Sequence, residues 1–464
     1  MKKIIFVFLL CIFFLIPKSV IAIENPLETN NNRYGIHILD DKDLNDASTL
    51  VNSSGGDWGY ITMVIRKDER DIKRWQRTFD NMRRLHLIPI IRIASIQKDN
   101  GWEKISNDDI DSWVYFFNSL NWVIKNRYLI IGNEVNHADE WGGEIKPDEY
   151  ANTLCNYYQK LKFASEDFYI IHAGLDASAP NDKTHMDEEK FIKEELKSRS
   201  DLFSCFDGWS SHSYPNPNFS GSEFASGRGS IKTYLWEQEL LKGLGLNREI
   251  PIFITETGWI RRNPEIVAKK TKFAFENVWK EKNIVAITPF VLNYTEPPFD
   301  VFSWKDNNGG YYPSYNEIKS IKKNRGTPIQ EEKGEIRFAI IPKISKSGSM
   351  VSAALLAINK GQSIWEKGKT NILIITNDGN SYVSDINNTL EPSKTEMVSF
   401  RLNIPEEANV VRGKIYISSN DKKISSDYNF EILTIKPISK KENIFTYIKN
   451  TIEAWITKRE IMVK

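Results

Sequence analysis

Between residues 33 and 323 the sequence alternates short runs of β-formers with stretches of helical spacing, eight of the former and seven of the latter. The candidate strands are 34–39, 59–65, 88–94, 128–132, 168–173, 208–212, 250–255 and 284–292. Helical patterns lie at 71–85, 108–123, 147–164, 188–197, 231–241 and 264–280, and 311–322 closes the series. Runs such as Ile252-Phe253-Ile254 carry no polar relief, the mark of a strand buried on both faces of a parallel sheet. Such alternation leaves two architectures, an open doubly wound sheet or a closed barrel. Eight units fit the barrel, and no glycine-rich phosphate loop follows the first strand, which counts against a dinucleotide-binding fold. The pattern therefore predicts an α/β chain built on a (β/α)8 TIM barrel.

At 464 residues the chain exceeds one compact domain. Residues 1–22 read as a secretory signal: Lys2 and Lys3, an apolar core at 4–16, then Pro17 and Val20-Ile21-Ala22. The apolar core is short for a span of roughly 20 residues. A secreted or cell-surface protein is expected, with a retained N-terminal anchor as the alternative. The barrel domain then covers 23–323, and residues 324–334, broken by Gly326 and Pro328, form a linker. From 335 to 436, strand-like runs at 335–341, 350–358, 371–376, 397–402, 410–417 and 430–435 predict a small immunoglobulin-like β-sandwich. Trp365 offers it a stacking surface for a sugar, although a passive accessory domain is the plainer reading. In 437–464, Ile444, Phe445, Ile448, Ile452, Trp455 and Ile456 share one face of an amphipathic helix. That helix either docks on its own protein or lies on a membrane or wall surface through Lys458, Arg459 and Lys464.

Charge and cysteine usage narrow the partners. Lys+Arg 62 against Asp+Glu 61 gives no reason to expect nucleic acid. Cys155 falls inside a helix and Cys205 just before a strand, which suggests opposite ends of the barrel and two buried thiols rather than a disulfide. The six histidines are scattered without metal-ligand spacing, so neither metal nor cofactor is expected.

Two apolar strands end in a carboxylate. The fourth runs into Asn133-Glu134 and the seventh into Glu256, just before Thr257, Gly258 and Trp259. A charge there is costly unless used or paired, and barrel chemistry collects at the carboxyl ends of strands. The sixth strand runs into His212-Ser213-Tyr214, and the third carries Arg92. Arg92 needs an acidic partner, for which a strand-end glutamate, Asp57 and Asp176 compete. His37 and His172 read as satisfied core residues.

These residues together resemble the clan of retaining glycoside hydrolases with (β/α)8 barrels, the cellulase-like and mannanase-like families, over residues 33–323. There an Asn-Glu pair ends the fourth strand and a lone Glu the seventh. The resemblance implies Glu134 as acid/base, Glu256 as nucleophile, and Asn133 holding the sugar 2-hydroxyl. It also implies that Tyr214 hydrogen-bonds the nucleophile and that His212 lines the subsite. The substrate would be an oligo- or polysaccharide with β-linkages. The chain departs from the clan at the eighth strand, where Phe290-Val291-Leu292-Asn293-Tyr294 lacks the expected tryptophan. Either Trp304 returns over the cleft or Tyr294 replaces it. A non-catalytic glycan-binding protein on an inactivated barrel and a wall-remodelling transglycosylase would carry the same residues.

Overall fold

A computed structural model describes residues 23–99, 101–436, 448, 449, 452 and 453. The expected signal and most of the expected C-terminal helix lie outside them. Eight parallel strands form one sheet in chain order: β1 (Gly35–His37), β2 (Gly59–Arg66), β3 (Leu87–Ala94), β4 (Arg127–Ile131), β5 (Phe168–His172), β6 (Gly208–His212), β7 (Ile252–Glu256) and β8 (Ile284–Ile287). A bridge between Tyr34 and Ile287, and a 2.9 Å bond from the Leu292 amide to the His37 carbonyl, join the last strand to the first. The sheet is a (β/α)8 barrel. Its eighth strand is shorter than the sequence pattern suggested, because Pro289 brings no amide to the ladder.

Eight helices cover the barrel: α1 (Leu44–Val51), α2 (Ile72–Arg84), α3 (Ile110–Ser119), α4 (Pro147–Ala164), α5 (Glu188–Ser198), α6 (Thr233–Gly243), α7 (Pro264–Phe273) and α8 (Pro313–Ser320). Helix α1 has no clear helical pattern in the sequence because it is only two turns long and carries Asn45 and Asp46 among its apolar residues. In α2, Asp71 caps the first turn, and Trp75, Phe79 and Met82 recur with helical spacing on the buried face. Helices on the outside and side chains on the inside bury the strands from both directions, which is why those sequences lack alternation.

The cysteines correct an expectation. Cys155, midway along α4, is disulfide-bonded to Cys205, with Cα atoms 4.8 Å apart. Helix α4 runs back toward the end of the barrel from which β6 starts, so its second half meets the segment entering that strand.

The second domain packs two sheets over one core. Gly334–Ile340, Met350–Asn359 and Thr395–Asn403 make the first, antiparallel sheet. Ile344–Lys346, Tyr428–Ile435, Val410–Ser419, Thr370–Thr376 and Ser381–Asp385 make the second. Leu355, Ile372, Val398, Ile415 and Ile432 fill the space between. Trp365 lies in that core at 1% exposure, so it is no stacking surface for a sugar. The domain docks on loops at the amino-terminal end of the barrel: Gln362 donates to the Ile124 carbonyl (2.9 Å), Asn121 to the Gly361 carbonyl (3.0 Å), and Arg84 pairs with Glu391 (2.6 Å). Among the described residues no helix is long and apolar enough to cross a membrane.

Three carboxyls are fully buried between the barrel and α5 or α6. Glu195 meets His172 Nε2 at 3.1 Å, and His172 Nδ1 meets the Ala173 carbonyl, so His172 is satisfied as expected. Glu188 and Glu237 face each other beside Ser211 and Trp209. Burial, then mutual repulsion, pushes Glu188 upward; burial pushes Glu237 from its ordinary 4.5 to about 7. The folded state therefore holds a proton that the unfolded chain releases, so this group's contribution to stability is fullest below 4.5 and is lost as pH rises through about 7. Calorimetry between about pH 5 and about pH 8 should show Tm falling with pH, with a flatter profile for Glu237→Gln.

Candidate active site

Gly132, at φ +95°, turns the chain out of β4 in a conformation that suits glycine. Glu134 follows at φ +32°, an uncommon backbone for a residue with a side chain. Its amide donates to the Gly174 carbonyl (2.8 Å) and its carbonyl accepts from His137 (2.7 Å), which holds the strained turn in place. Glu256 is the last residue of β7 and sits level with His212 of β6. The barrel thus brings Glu134 and Glu256 to one mouth. One carboxylate oxygen of each, together with His212 Nδ1, lies within 4.8 Å of the others.

A hydrogen-bond network fixes the pair. Arg92 Nη1 donates to Glu256 Oε1 (2.9 Å) and to Asn133 Oδ1. The Tyr214 hydroxyl donates to Glu256 Oε2 (3.1 Å), and His212 Nδ1 lies 2.8 Å from Glu134 Oε1. The other candidate partners of Arg92 are engaged elsewhere: Asp57 by His86 and Arg325, Asp176 by His137. A side chain at Gly174 would collide with the His212 ring, so this glycine makes room for it.

Burial alone would push Glu256 upward. His212, Arg92, His37 and the Tyr214 hydroxyl outweigh it and hold the carboxyl below its ordinary value. Burial depresses His212, but Glu256 and Glu134 overcome it, and the imidazole is raised. Three such ligand atoms could surround a divalent cation. Here Arg92 and a readily protonated His212 already supply the positive charge. Glu140, in the short helix Ala138–Glu140, is a third carboxyl in the mouth: burial pushes it to about 7 against the pull of Arg92.

The cleft has a volume of about 720 Å³. Arg66 at the end of β2, with Glu69, Gln97, His137 and Asp176 on the loops after β2 to β5, makes a polar wall. Phe219, Ile260, Phe290, Phe299 and Phe302 make an apolar wall on the loops after β6 to β8. Glu134, Glu256, Asn133, Arg92, Tyr214 and Tyr294 all line this space, and His212 lies buried beside Glu134.

Trp304 does not line the cleft. The segment 291–292 accepts hydrogen bonds from its amide, and its ring is buried in the barrel core at 6% exposure. Phe290 stands at the mouth near the end of β8 instead. Trp141 and Trp259 are buried and Trp58 stacks on His86, so none is a platform; Trp102 is the tryptophan that lines the cleft among the described residues. His37 also departs from expectation: it is fully buried, yet among the described residues neither ring nitrogen has a hydrogen-bond partner. Sequence reasoning missed Glu140, His137 and Phe290. Only Phe290 carried a signal, as an aromatic at the strand end where another aromatic was sought.

No protein-family model matches the chain, and no curated protein matches it. Among solved structures it is similar to a monomeric beta-xylosidase from Caulobacter crescentus, at 11% identity and TM-score 0.44, covering 81% of this chain and 97% of that one. It is similar also to a GH128 (subgroup II) endo-beta-1,3-glucanase from Pseudomonas viridiflava, at 12% identity and TM-score 0.41, covering 63% and 99%. A third is AbfB, a family 51 alpha-L-arabinofuranosidase from Bifidobacterium longum, at 10% identity and TM-score 0.42, covering 81% and 97%.

Arg92 opposes the burial of two carboxyls at once. Replacing it by methionine should raise the titration midpoints of both Glu256 and Glu140, by about one unit or more, in carboxyl-carbon NMR. An unchanged Glu256 midpoint would mean that His212 and Tyr214 suffice.

Proposed function

We propose that the chain is a retaining glycoside hydrolase that cleaves O-glycosidic bonds of a β-linked oligo- or polysaccharide. The observation that carries this is the approach of Glu134 and Glu256 to within 4.8 Å across one mouth. Retaining enzymes hold their two carboxyls about 5–5.5 Å apart, and inverting enzymes hold them farther apart to admit a water.

The surroundings favour a division of labour. Glu256, kept ionised by Arg92, His212 and Tyr214, attacks the anomeric carbon as the bond to the leaving oxygen breaks. Glu134 gives that oxygen its proton. Water then loses a proton to Glu134 and attacks the same carbon, which releases Glu256 as a carboxylate. The Asn133 oxygen is occupied by Arg92, so its amide N–H groups are what remain for the sugar 2-hydroxyl. Phe290 and Tyr294 offer apolar faces to a pyranose ring. The segment 1–22 and the Cys155–Cys205 disulfide favour a secreted or cell-surface setting.

Two variants test the assignment. Glu256→Ala should abolish hydrolysis of an activated aryl glycoside while substrate still binds; unchanged turnover would end the reading. Glu134→Ala should cost about 10²–10⁴-fold on substrates with poor leaving groups and far less on activated ones. Equal losses on both would void the division of roles.

A further inference from the structure

His37 is an anomalous polar group of the barrel. It closes β1, its ring is wholly buried, and neither nitrogen has a hydrogen-bond partner among the described residues. A buried donor left unmade is costly, so such a group calls for a reason. Its position is well determined. Backbone bonds run from the His37 amide to the Pro289 carbonyl (3.1 Å) and from the Leu292 amide to the His37 carbonyl (2.9 Å), locking it between β1 and the segment after β8. The ring lies edge-on to Phe290, centroids 5.2 Å apart at 86°, and Nδ1 faces Glu256 Oε1 at 3.9 Å. That is about 0.7 Å beyond the upper end of an ordinary hydrogen bond.

We propose that His37 is a positioning residue for Glu256. Its Nδ1–H is aimed at Oε1 across 3.9 Å and steadies the carboxylate in the place from which it faces the mouth. His37 donates and exchanges no proton.

The inference rests on Glu256 acting as nucleophile. Burial drives the imidazole down to about 3, so it stays neutral and keeps one N–H to give. Around the same carboxylate stand Arg92 from β3, His212 and Tyr214 from the end of β6, and Glu134 across the mouth. Arg92 fills one direction at Oε1, and the His37 ring approaches the same oxygen from β1.

The test uses the whole chain. In the wild type, ring-nitrogen NMR should find the His37 proton on Nδ1; a proton on Nε2 overturns the proposal without any variant. His37→Phe keeps a ring against Phe290 and removes the donor, whereas His37→Asn keeps an N–H near the place of Nδ1. Carboxyl-carbon NMR should show the Glu256 midpoint raised by about one unit in His37→Phe and close to wild type in His37→Asn. On an activated aryl glycoside, kcat should fall about tenfold or more in His37→Phe with KM nearly unchanged, and recover in His37→Asn. A wild-type midpoint in His37→Phe, or equal losses in both variants, overturns the role. If the wild type cleaves no glycoside, the hydrolase reading fails, and the two NMR measurements still decide what His37 does to Glu256.

Discussion

Like charges crowded into a buried mouth repel, and this site exists because that repulsion is offset. Glu134 and Glu256 approach closely at the ends of strands made almost wholly of apolar residues. Arg92 supplies a fixed positive charge to one of them, and His212 supplies a titratable one between both. Take those two cations away and one carboxyl must take up a proton or leave. The reactivity inferred here and the stability of the mouth are thus one electrostatic problem. The asymmetry of its solution, with Arg92 on Glu256 alone, is what makes the two glutamates different.

Closure of the barrel turns distant sequence positions into neighbours. Residues from β1, β3, β6 and β7, with the turn after β4, meet around a single carboxylate. No local stretch holds more than three of them. The strained turn at Glu134 survives because Gly174, after β5, both accepts its amide and leaves space for His212. The loops add the asymmetry of the cleft, polar after the early strands apart from Leu39 and Trp102, and aromatic after the late ones.

The barrel was legible in the sequence because strands buried on both faces advertise themselves as unbroken apolar runs, and eight of them in series leave few topologies. Glu134 and Glu256 stood out because a carboxylate at the end of such a run is physically conspicuous. What could not be read depends on path rather than pattern. Trp304 looked like a displaced platform, yet the loop after β8 folds back and sends the ring into the core. Trp365 looked available and is buried. Cys155 and Cys205 looked far apart because a residue midway along a helix was assigned to the wrong end of the barrel. His37 looked like any core histidine, since no sequence reveals whether a buried nitrogen has found a partner. Glu140 gave no sign, because its surroundings come from β3 and β4 together.

The β domain sits at the end of the barrel from which the strands start, while the carboxylate mouth opens at the other. Anything gripping the chain by that domain would leave the mouth pointing away from the grip. Held in this way, the mouth would stay clear both of the grip and of the appended domain.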